Sequence, residues 1–427
     1  MPFKIALGLL AAALLVALPP FLGLGWQNAL TNMLIASLFA AAFNLLMGQG
    51  GMLSFGHAAY FGIGAFAVLH LMRAVEDGLA FPTALLPVAG GLAGLLVGLG
   101  AGWFATKRTG VYFSLVTLAL AELLHSLAPH WNGLFGGESG LSSMRMPSLG
   151  LDFGSSLQVY YVTLAWVALS VALLYAYTRT PFGRLTLALR DNEQRVRFLG
   201  FDAHATKVLV FGISAMFAGV AGGLMAMSSE TANYNVFSVH TSAQVVLHTF
   251  VGGSTLFLGP LLGASLLTLF TFLVSEMTRA WLLYQGILFI LVMLFAPTGI
   301  GGVVHAHIVN AGRLPWRRLA LPYAAAGAGG ALAATGVVFL VQTLEHVFSQ
   351  SYRAAVARNG VWETVTVFGQ SWDPLNPVTW LVPLAIFAAG LAVVLKVRPV
   401  IARLWSEESS PPPDHPVVAA RGAHGAA

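Results

Sequence analysis

The polar side chains that could act on a small molecule cluster in one glycine-rich run of the sequence. From Gly48 to Gly64 the chain reads GQGGMLSFGHAAYFGIG. Glycines at this density in an apolar region let helices pack closely or let a helix break. A break within hydrocarbon leaves backbone amides without partners, so it must be buried in protein or line a cavity. Gln49, Ser54 and His57 lie at this break, and we expect them either to form a substrate pathway or to hold packed helices together.

The longest charged segment of the chain, residues 179–200, could bind a partner. It reads RTPFGRLTLALRDNEQRVRFLG. Pro181 can begin a helix, Gly200 can end it, and Leu185 and Leu189 fall on one face. The pattern therefore predicts a short amphipathic helix. Such a helix either lies on anionic lipid or places its apolar face in a groove of a soluble partner, and composition does not separate the two roles.

One carboxylate, that of Glu122, lies inside a stretch that is otherwise apolar. A carboxylate within a membrane is costly and is by default a candidate functional group. Glu122 could pair with His125, contact a substrate ammonium or hold helices together, and its place near the outer end of its helix favours the structural role. Several other histidines show no spacing typical of a metal site, namely His57, His70, His240 and His248. We expect no metal and no directly bound cofactor.

The elements that position these residues must lie in a membrane. Of the 427 residues, 57% are hydrophobic and only 9% are charged. A soluble domain carries about 25% charged residues. This deficit excludes an ordinary cytosolic enzyme, a nucleic-acid binder and a disordered chain. The absence of cysteine excludes disulfides and cysteine-based metal sites. The fold class that follows is all-α, a polytopic membrane protein.

Apolar stretches of about 20 residues, long enough to cross the hydrocarbon core, mark the predicted spans. Ten of them form one group, at 5–24, 28–48, 56–74, 83–105, 111–128, 158–178, 207–228, 240–256, 257–276 and 280–297. Two more follow at 321–344 and 378–396. The first stretch resembles a signal peptide, but no small-residue cleavage site follows it, so we take it as a retained span.

The distribution of basic residues predicts the orientation of the spans. If the N-terminus is cytoplasmic, sixteen of the 21 lysines and arginines fall on the cytoplasmic side, as basic residues do in membrane proteins. Both termini are then cytoplasmic. The first five spans begin inside and the next five begin outside, which is the pattern of a five-plus-five inverted repeat. In transporters such a repeat places the pathway between the halves, near the midplane.

The sequence changes character after residue 304. A basic linker leads to the first of the two additional spans, and a polar segment at 345–377 precedes the second. The last residues, 406–427, are rich in proline and small residues and are predicted to be disordered. We divide the chain at 1–304, 305–405 and 406–427, and assign no function to the last two parts.

The segment at 179–200 resembles the cytoplasmic coupling segment of permease subunits from ATP-binding-cassette importers for branched-chain (hydrophobic) amino acids. Further segments are similar to that family's motifs in the same order: 48–64, LVTLALAE at 115–122, GGESGL at 136–141, 207–223, 252–264 and PTGIG at 297–301. The resemblance covers residues 28–304, and it identifies that region as a transmembrane permease domain.

The resemblance implies a transport subunit of the bacterial inner membrane that is not itself an enzyme. Its partners would be a second permease subunit, two cytoplasmic ATPases that use the ATP, and a periplasmic amino-acid-binding protein. In agreement, the chain lacks the phosphate-binding motif G-x-x-x-x-G-K-[ST]. The cargo would be branched-chain or similar small apolar amino acids.

The resemblance also implies roles for individual residues. The ATPase-coupling residues would be Gly183, Arg184, Arg190 and Glu193. Both arginines would offer donors to acidic groups, and Leu185 and Leu189 would fill a groove on the ATPase. Each arginine could instead be a plain cytoplasmic anchor. The substrate-pathway residues would be Gln49, Ser54, His57, Glu122 and Gly253.

Other functions remain open on the sequence alone. The same machinery could move urea, short amides or another small amino acid, because selection in this family often resides in the soluble binding protein. An ion-coupled secondary carrier would need no ATPase, but carriers usually embed ionisable groups near the midplane, where only Glu122 and some histidines are candidates. A membrane-embedded enzyme would need convergent catalytic groups, and the sequence shows no such set.

Overall fold

The computed structural model describes residues 2–148, 150, 152–312 and 314–409, and it divides into two compact units, Met1–Ala306 and His307–Ala427. The first unit is built almost entirely from helices. They are α1 (Pro2–Ala17), α2 (Leu24–Asn44), α3 (Ala58–Glu76), α4 (Leu86–Ala105), α5 (Val111–Leu127), α6 (Asn132–Phe135), α7 (Ser156–Arg179), α8 (Pro181–Asp191), α9 (Glu193–Phe198), α10 (Ala203–Ser229), α11 (Val239–Gly252), α12 (Gly259–Ser275), α13 (Trp281–Phe295) and α14 (Gly299–Asn310). Two short strands, β1 (Leu141–Ser142) and β2 (Thr231–Ala232), pair antiparallel.

The chain is an all-α, multi-pass membrane protein. Within the described residues, eight helical stretches are long and apolar enough to cross a membrane: Leu24–Gln49, Ala58–Glu76, Thr83–Ala105, Val111–His130, Ser156–Arg179, Ala203–Ser229, Trp316–Phe348 and Pro377–Ser406. Helices α13 and α14, bent by 46° at their junction, make a ninth if they are counted as one span.

The structure does not confirm the predicted count of ten plus two spans. Helices α1, α11 and α12 have only 16, 14 and 17 residues. Proline and glycine set these lengths: Pro19 and Pro20 follow α1, and a non-helical segment between Gly252 and Gly259 separates α11 from α12. A span predicted from hydropathy alone continues across such an interruption, because the residues at the interruption are still apolar.

The core of the first unit lies where α10 crosses α3 and α4. Gly64 of α3, Gly90 of α4 and Gly219 of α10 meet there. A Cβ on Gly90 would lie 2.6 Å from the carbonyl oxygen of Gly219, so the backbones touch without intervening side chains. Small residues let membrane helices approach this closely, and the gain is van der Waals contact between backbones.

The packing partners repeat within the first unit. Helix α2 packs on α11 and α12, and α10 packs on α3 and α4. In the same way, α3 packs on α4 and α5, while α11 and α12 pack on each other and on α13. If α2, α3, α4 and α5 are matched in order with α10, α11, α12 and α13, each of these helix contacts becomes another helix contact of the first unit. The pattern supports a structural repeat, as the predicted five-plus-five arrangement requires.

The carboxyl end of α10 is capped by a side chain from the segment after β1. Arg145 Nη1 donates to the carbonyl oxygens of Met227 and Ser228, each at 2.8 Å. Its Nε lies 3.3 Å from a carboxylate oxygen of Glu230, which adopts a left-handed conformation at the helix end. These bonds satisfy the last carbonyls of α10.

The second unit is a helical hairpin with a small polar end. Its elements are α15 (Trp316–Phe348), α16 (Gln350–Asn359), β3 (Val365–Val367), β4 (Gln370–Trp372) and α17 (Pro377–Ser409). Gly329, Gly336 and Gly390 let α15 and α17 touch through backbone. The polar segment predicted at 345–377 forms α16 and the β3–β4 hairpin. Residues 406–409 of the predicted disordered tail belong to α17, and 410–427 lie outside the described residues.

Candidate functional site

The glycine-rich run breaks the helix, as its composition predicts. Helix α2 ends in a π-helical turn at Leu45–Gln49, and the backbone remains irregular until α3 begins. We call residues 45–57 the bend. Its backbone groups find partners on distant helices: Ser114 Oγ donates to the carbonyl of Leu53 at 2.6 Å, and Phe55 N donates to Thr117 Oγ1 at 3.2 Å. The break is therefore tolerated inside the protein.

His57 anchors the end of the bend. Its side chain is fully buried. Its Nε2 lies 3.2 Å from Ser214 Oγ, which donates its one proton to the carbonyl of Ala42 at 2.6 Å. Nε2 must then carry the imidazole proton and donate to Ser214. Its Nδ1, like the buried hydroxyl of Ser54, has no hydrogen-bond partner in the described part of the chain.

Three glycine motifs that are far apart in sequence meet beside the bend. A side chain on Gly48 would collide with the backbone of Ser254, and one on Gly253 would collide with the carbonyl of Thr298. Gly253 also has a positive φ of 101°, which favours glycine. The structure thus brings the predicted pathway residues Gln49 and Gly253 into one region.

The other intramembrane candidate, Glu122, lies on α5 next to Ala121, which faces Gly56 of the bend. Its side chain is half-buried on α5. His125, the suggested partner, places its ring 5.4 Å from that of Tyr234 instead. Within the described residues no hydrogen bond or ion pair of Glu122 is present, and the proposed pairing with His125 is therefore not observed.

The charged segment 179–200 forms two helices rather than one. Helix α8 begins at Pro181, as expected, with Thr180 accepting from Gly183 N at 3.1 Å. It ends at Asp191 because Asn192 adopts an extended conformation and caps α9, its side chain accepting from Arg195 N at 2.9 Å. Gly183 is buried, since a Cβ there would collide with the carbonyl of Tyr177. We call residues 179–200 the coupling segment.

Leu185 and Leu189, predicted to fill a groove on a partner, pack within the chain. Leu189 is buried against Val196 and Ala203, and the half-buried Leu185 packs on the same cluster. Burying these leucines within the chain attaches α8 to α9 and α10. The apolar side chains that remain exposed at and beside the coupling segment are Phe182, Phe198, Leu199 and Phe201.

Arg190 links the coupling segment to the bend. Its Nη1 donates to the carbonyl oxygen of Gly48 at 2.6 Å. Gly51, with φ of 68°, lies against the same side chain, and a Cβ there would be 2.7 Å from Arg190 Cγ. Arg184 and Arg190 are both exposed, but Arg184 makes no hydrogen bond or ion pair within the described residues. The two arginines that the resemblance grouped together therefore face different surroundings.

Glu193 attaches α9 to the start of α10. Its carboxylate accepts from Arg197 at 2.6 Å and from the ammonium of Lys207, a side chain that is only 8% exposed. Burial raises the pKa of Glu193, but the hydrogen bonds from Lys207 and Arg197 outweigh burial and hold its pKa below the ordinary value. The carboxylate is therefore charged at neutral pH.

Sequence reasoning did not single out the side chains that secure the bend. They are Ser114 and Thr117 of α5, Ser214 of α10, and Ser242 of α11, whose Oγ accepts from Ala58 N at 3.0 Å. Thr117 lies within the motif at 115–122, which was the available signal. An isolated serine in an apolar helix carries no such signal, because its hydroxyl can just as well donate to a backbone carbonyl in the preceding turn of its own helix.

A multi-pass helical protein whose charged extramembrane segment is bonded to an interrupted span has the architecture of a transport permease. The family described as the permease component of branched-chain amino acid transport systems matches residues 26–297. The chain belongs to this family.

Several characterised relatives are similar to the chain. The high-affinity branched-chain amino acid transport system permease protein LivM of Escherichia coli (strain K12) is 29% identical, over 70% of this chain and 74% of its own length. LivM of Salmonella typhimurium is 29% identical over 67% and 72%, respectively. A probable branched-chain amino acid transport permease protein LivH of Methanocaldococcus jannaschii is 24% identical over 58% and 83%. No solved structure matches the chain.

Proposed function

We propose that the protein is the permease subunit of an ATP-binding-cassette importer that moves branched-chain or similar small apolar amino acids into the cytoplasm. It would lie in the bacterial inner membrane with both termini cytoplasmic. It would work with a second permease subunit, two cytoplasmic ATPases and a periplasmic amino-acid-binding protein. The observation that carries this proposal is the bond from Arg190 to the carbonyl of Gly48, in a chain of the permease family.

This bond provides a route from an ATPase to the membrane. A force on α8 would move Arg190, and with it the carbonyl of Gly48 at the bend. Gly48 lies on the backbone of Ser254, so the same displacement would reach the glycine motif that follows α11. Because the contacts are backbone against backbone, little side-chain flexibility is available to absorb the motion. The two halves of the first unit would then rock around this region.

The exposed face of the coupling segment supports docking on a soluble partner. Arg184 offers a charge-assisted donor to an acidic group, and Phe182 and Phe198 offer apolar anchors. The function of Arg190 differs because its guanidinium already donates to the carbonyl of Gly48: it would transmit motion rather than bind the ATPase. This separation of roles gives the two residues distinguishable mutant phenotypes.

The experiment compares Arg184→Glu with Arg190→Gln in the complex purified through a tag on this chain. We expect Arg184→Glu to lose ATPase during purification. We expect Arg190→Gln to retain ATPase and ATP hydrolysis but to take up leucine about tenfold more slowly in proteoliposomes, because a hydrogen bond of a charged group contributes about 1.5–3 kcal/mol. Arg108→Glu, an exposed charge reversal outside the coupling segment, is the matched control.

Normal ATP-dependent uptake by both variants would remove the coupling assignment. Leucine uptake by this chain alone, driven by an ion gradient without any ATPase, would favour a secondary carrier. Binding of urea or a short amide, rather than an amino acid, by the cognate binding protein would change the cargo but not the machinery.

A further inference from the structure

A cavity of about 160 Å³ lies between α2, α3 and α11, apart from the residues that the sequence singled out for a pathway. Its lining residues are Asn32, Ile35, Ala36, Phe39, Phe61, Thr241, Gln244, Val245 and His248. Under the repeat described above, α2 and α3 come from the first half of the unit and α11 from the second. The cavity therefore lies between the halves, where an inverted-repeat transporter holds its cargo.

Two helical stripes of polar side chains include residues of this cavity: Asn32, Gln244 and His248 line it, and Asn28 and His240 continue the stripes outside it. On α2, Asn28 and Asn32 are four residues apart and both are exposed. On α11, His240, Gln244 and His248 follow the same spacing. Residues four apart share a helix face. A polar stripe on a membrane helix almost always faces protein or a water-filled space rather than lipid. We conclude that this face of the unit meets a pathway or a partner subunit and not hydrocarbon.

The lining contains the two kinds of group that would bind a zwitterion with an apolar side chain: polar groups for its two charges and apolar groups for its side chain. Amide and hydroxyl groups of Asn32, Thr241 and Gln244 can accept from an ammonium and donate to a carboxylate. The rest of the lining is mostly apolar and includes Phe39 and Phe61. No lysine, arginine or carboxylate lies among the lining residues. A cavity with mostly apolar walls and a few convergent polar groups is the usual form of a small-molecule site.

We propose that this cavity is the compartment through which the permease passes a zwitterionic amino acid with a small apolar side chain. The proposal rests on the proposed function and names the residues that hold the cargo. Asn32, Thr241 and Gln244 contact its charged end, and Phe39 and Phe61 contact its side chain.

The wall of the cavity continues into the bend. Phe39 packs on Phe61 with ring centroids 4.7 Å apart, and its other neighbour is the ring of His57 at 5.8 Å. His57 is held by Ser214 and is the last residue of the bend, at the N-cap of α3. A movement of the bend therefore displaces the aromatic wall of the compartment. This contact joins the cavity to the route from Gly48 and Arg190.

The absence of cysteine from the chain allows a direct test of occupancy. Asn32→Cys introduces one thiol at the cavity, and Arg108→Cys introduces one at an exposed position between α4 and α5, outside it. The assembled complex, with its binding protein, is treated with a small water-soluble thiol reagent and labelling of this chain is followed on a gel. Leucine at about ten times its dissociation constant should slow labelling of Asn32→Cys about tenfold. Glutamate should not protect it, and labelling of Arg108→Cys should be unaffected by either.

A filling substitution tests transport through the same space. Ala36→Phe adds a ring inside the cavity, and Ala119→Phe makes the same change on the exposed face of α5. In proteoliposomes we expect Ala36→Phe to lower leucine uptake about tenfold or more, because the added ring would occupy space that the cargo needs. ATP hydrolysis and assembly should persist, and the control should transport within about twofold of the parent.

Protection of Asn32→Cys by leucine decides the question even if Ala36→Phe fails to assemble. Labelling that leucine does not slow, or normal uptake by an assembled Ala36→Phe complex, would overturn the assignment of this cavity while leucine uptake by the parent complex still upheld the permease function. A parent complex that does not transport leucine would overturn both.

Discussion

Arg190 of α8 and Glu193 of α9 lie on either side of the extended residue Asn192, and each stabilises a different contact. Arg190 reaches Gly48, which is 142 residues away in sequence, and Glu193 reaches Lys207 at the start of α10. Together they hold the segment against the first unit from two sides. An ATPase pushing on the segment would therefore move α10 and the bend as connected parts rather than deform a loose loop.

At this scale we predict that Glu193→Gln destabilises the protein. The substitution leaves the buried ammonium of Lys207 beside a neutral amide. Losing one partner of such a bond should lower the free energy of unfolding by about 1–3 kcal/mol. Thermal unfolding of the purified protein measures this loss. Arg197→Gln, which removes the exposed partner of the same carboxylate, is the control and should have little effect.

The effect should also depend on pH in a defined direction. Burial raises the pKa of Glu193, and the bonds from Lys207 and Arg197 lower it further than burial raises it. A carboxyl whose folded pKa is depressed contributes stability above its unfolded pKa, about 4.3 for glutamate, and loses it as pH falls through the folded value. The difference between wild type and Glu193→Gln should be constant from pH 7 to about pH 5 and shrink below about pH 4. A difference that grew on acidification would contradict this account.

At the scale of elements, the crossing of α3, α4 and α10 is the most tightly specified packing in the first unit. This packing depends on glycine at three backbone contacts, so adding a single methyl group there should lower the stability of the protein. The residues along the outer face of α4 have no such constraint. A Cβ on Gly100, for example, would meet no atom within 4 Å.

We predict opposite outcomes for alanine at two glycines of α4. Gly90→Ala places a Cβ 2.6 Å from the carbonyl of Gly219 and should destabilise by about 1–3 kcal/mol. Gly100→Ala should be neutral or stabilise by up to about 1 kcal/mol, because alanine has the higher helix propensity. Thermal unfolding and yield after extraction compare the two variants. Equal stabilities would show that the helices separate more easily than this geometry implies.

The sequence is a good guide to long apolar helices and a poor one to contacts between them. The span predicted at 83–105 agrees with Thr83–Ala105, and the break after α2 lies where its glycines place it. The spans predicted at 240–256 and 257–276 correspond to α11 and α12, which are shorter than predicted because composition does not reveal where Gly252 packs against Gly259 and Gly263. The cavity was missed for the same reason. In the sequence neither Asn32 nor Gln244 indicates a cavity, and the two residues come together only because α2 packs on α11.

At the scale of the whole molecule, two units with separate cores share one chain. The first contains the bend, the coupling segment and the cavity, and its family match ends at residue 297. The second has its own small core of Phe339, Val347, Tyr352 and the two valines of β3. A unit with its own core can fold independently of its neighbour in sequence.

We therefore predict that a chain ending at Asn310, the last residue of α14, still folds and supports transport. The truncation removes the hairpin α15–α17 but no residue of the bend, the cavity or the coupling segment. Leucine uptake per assembled complex should remain within about twofold of the full chain, since no contact of the route from Arg190 to the cavity is lost. A chain ending at Ser275, which lacks α13 and its packing against α11 and α12, is the negative control and should lose uptake. The chain ending at Asn310 could instead assemble normally but fail to transport leucine. The second unit would then have to take part in the transport cycle, and the route from the coupling segment to the cavity would be incomplete without it.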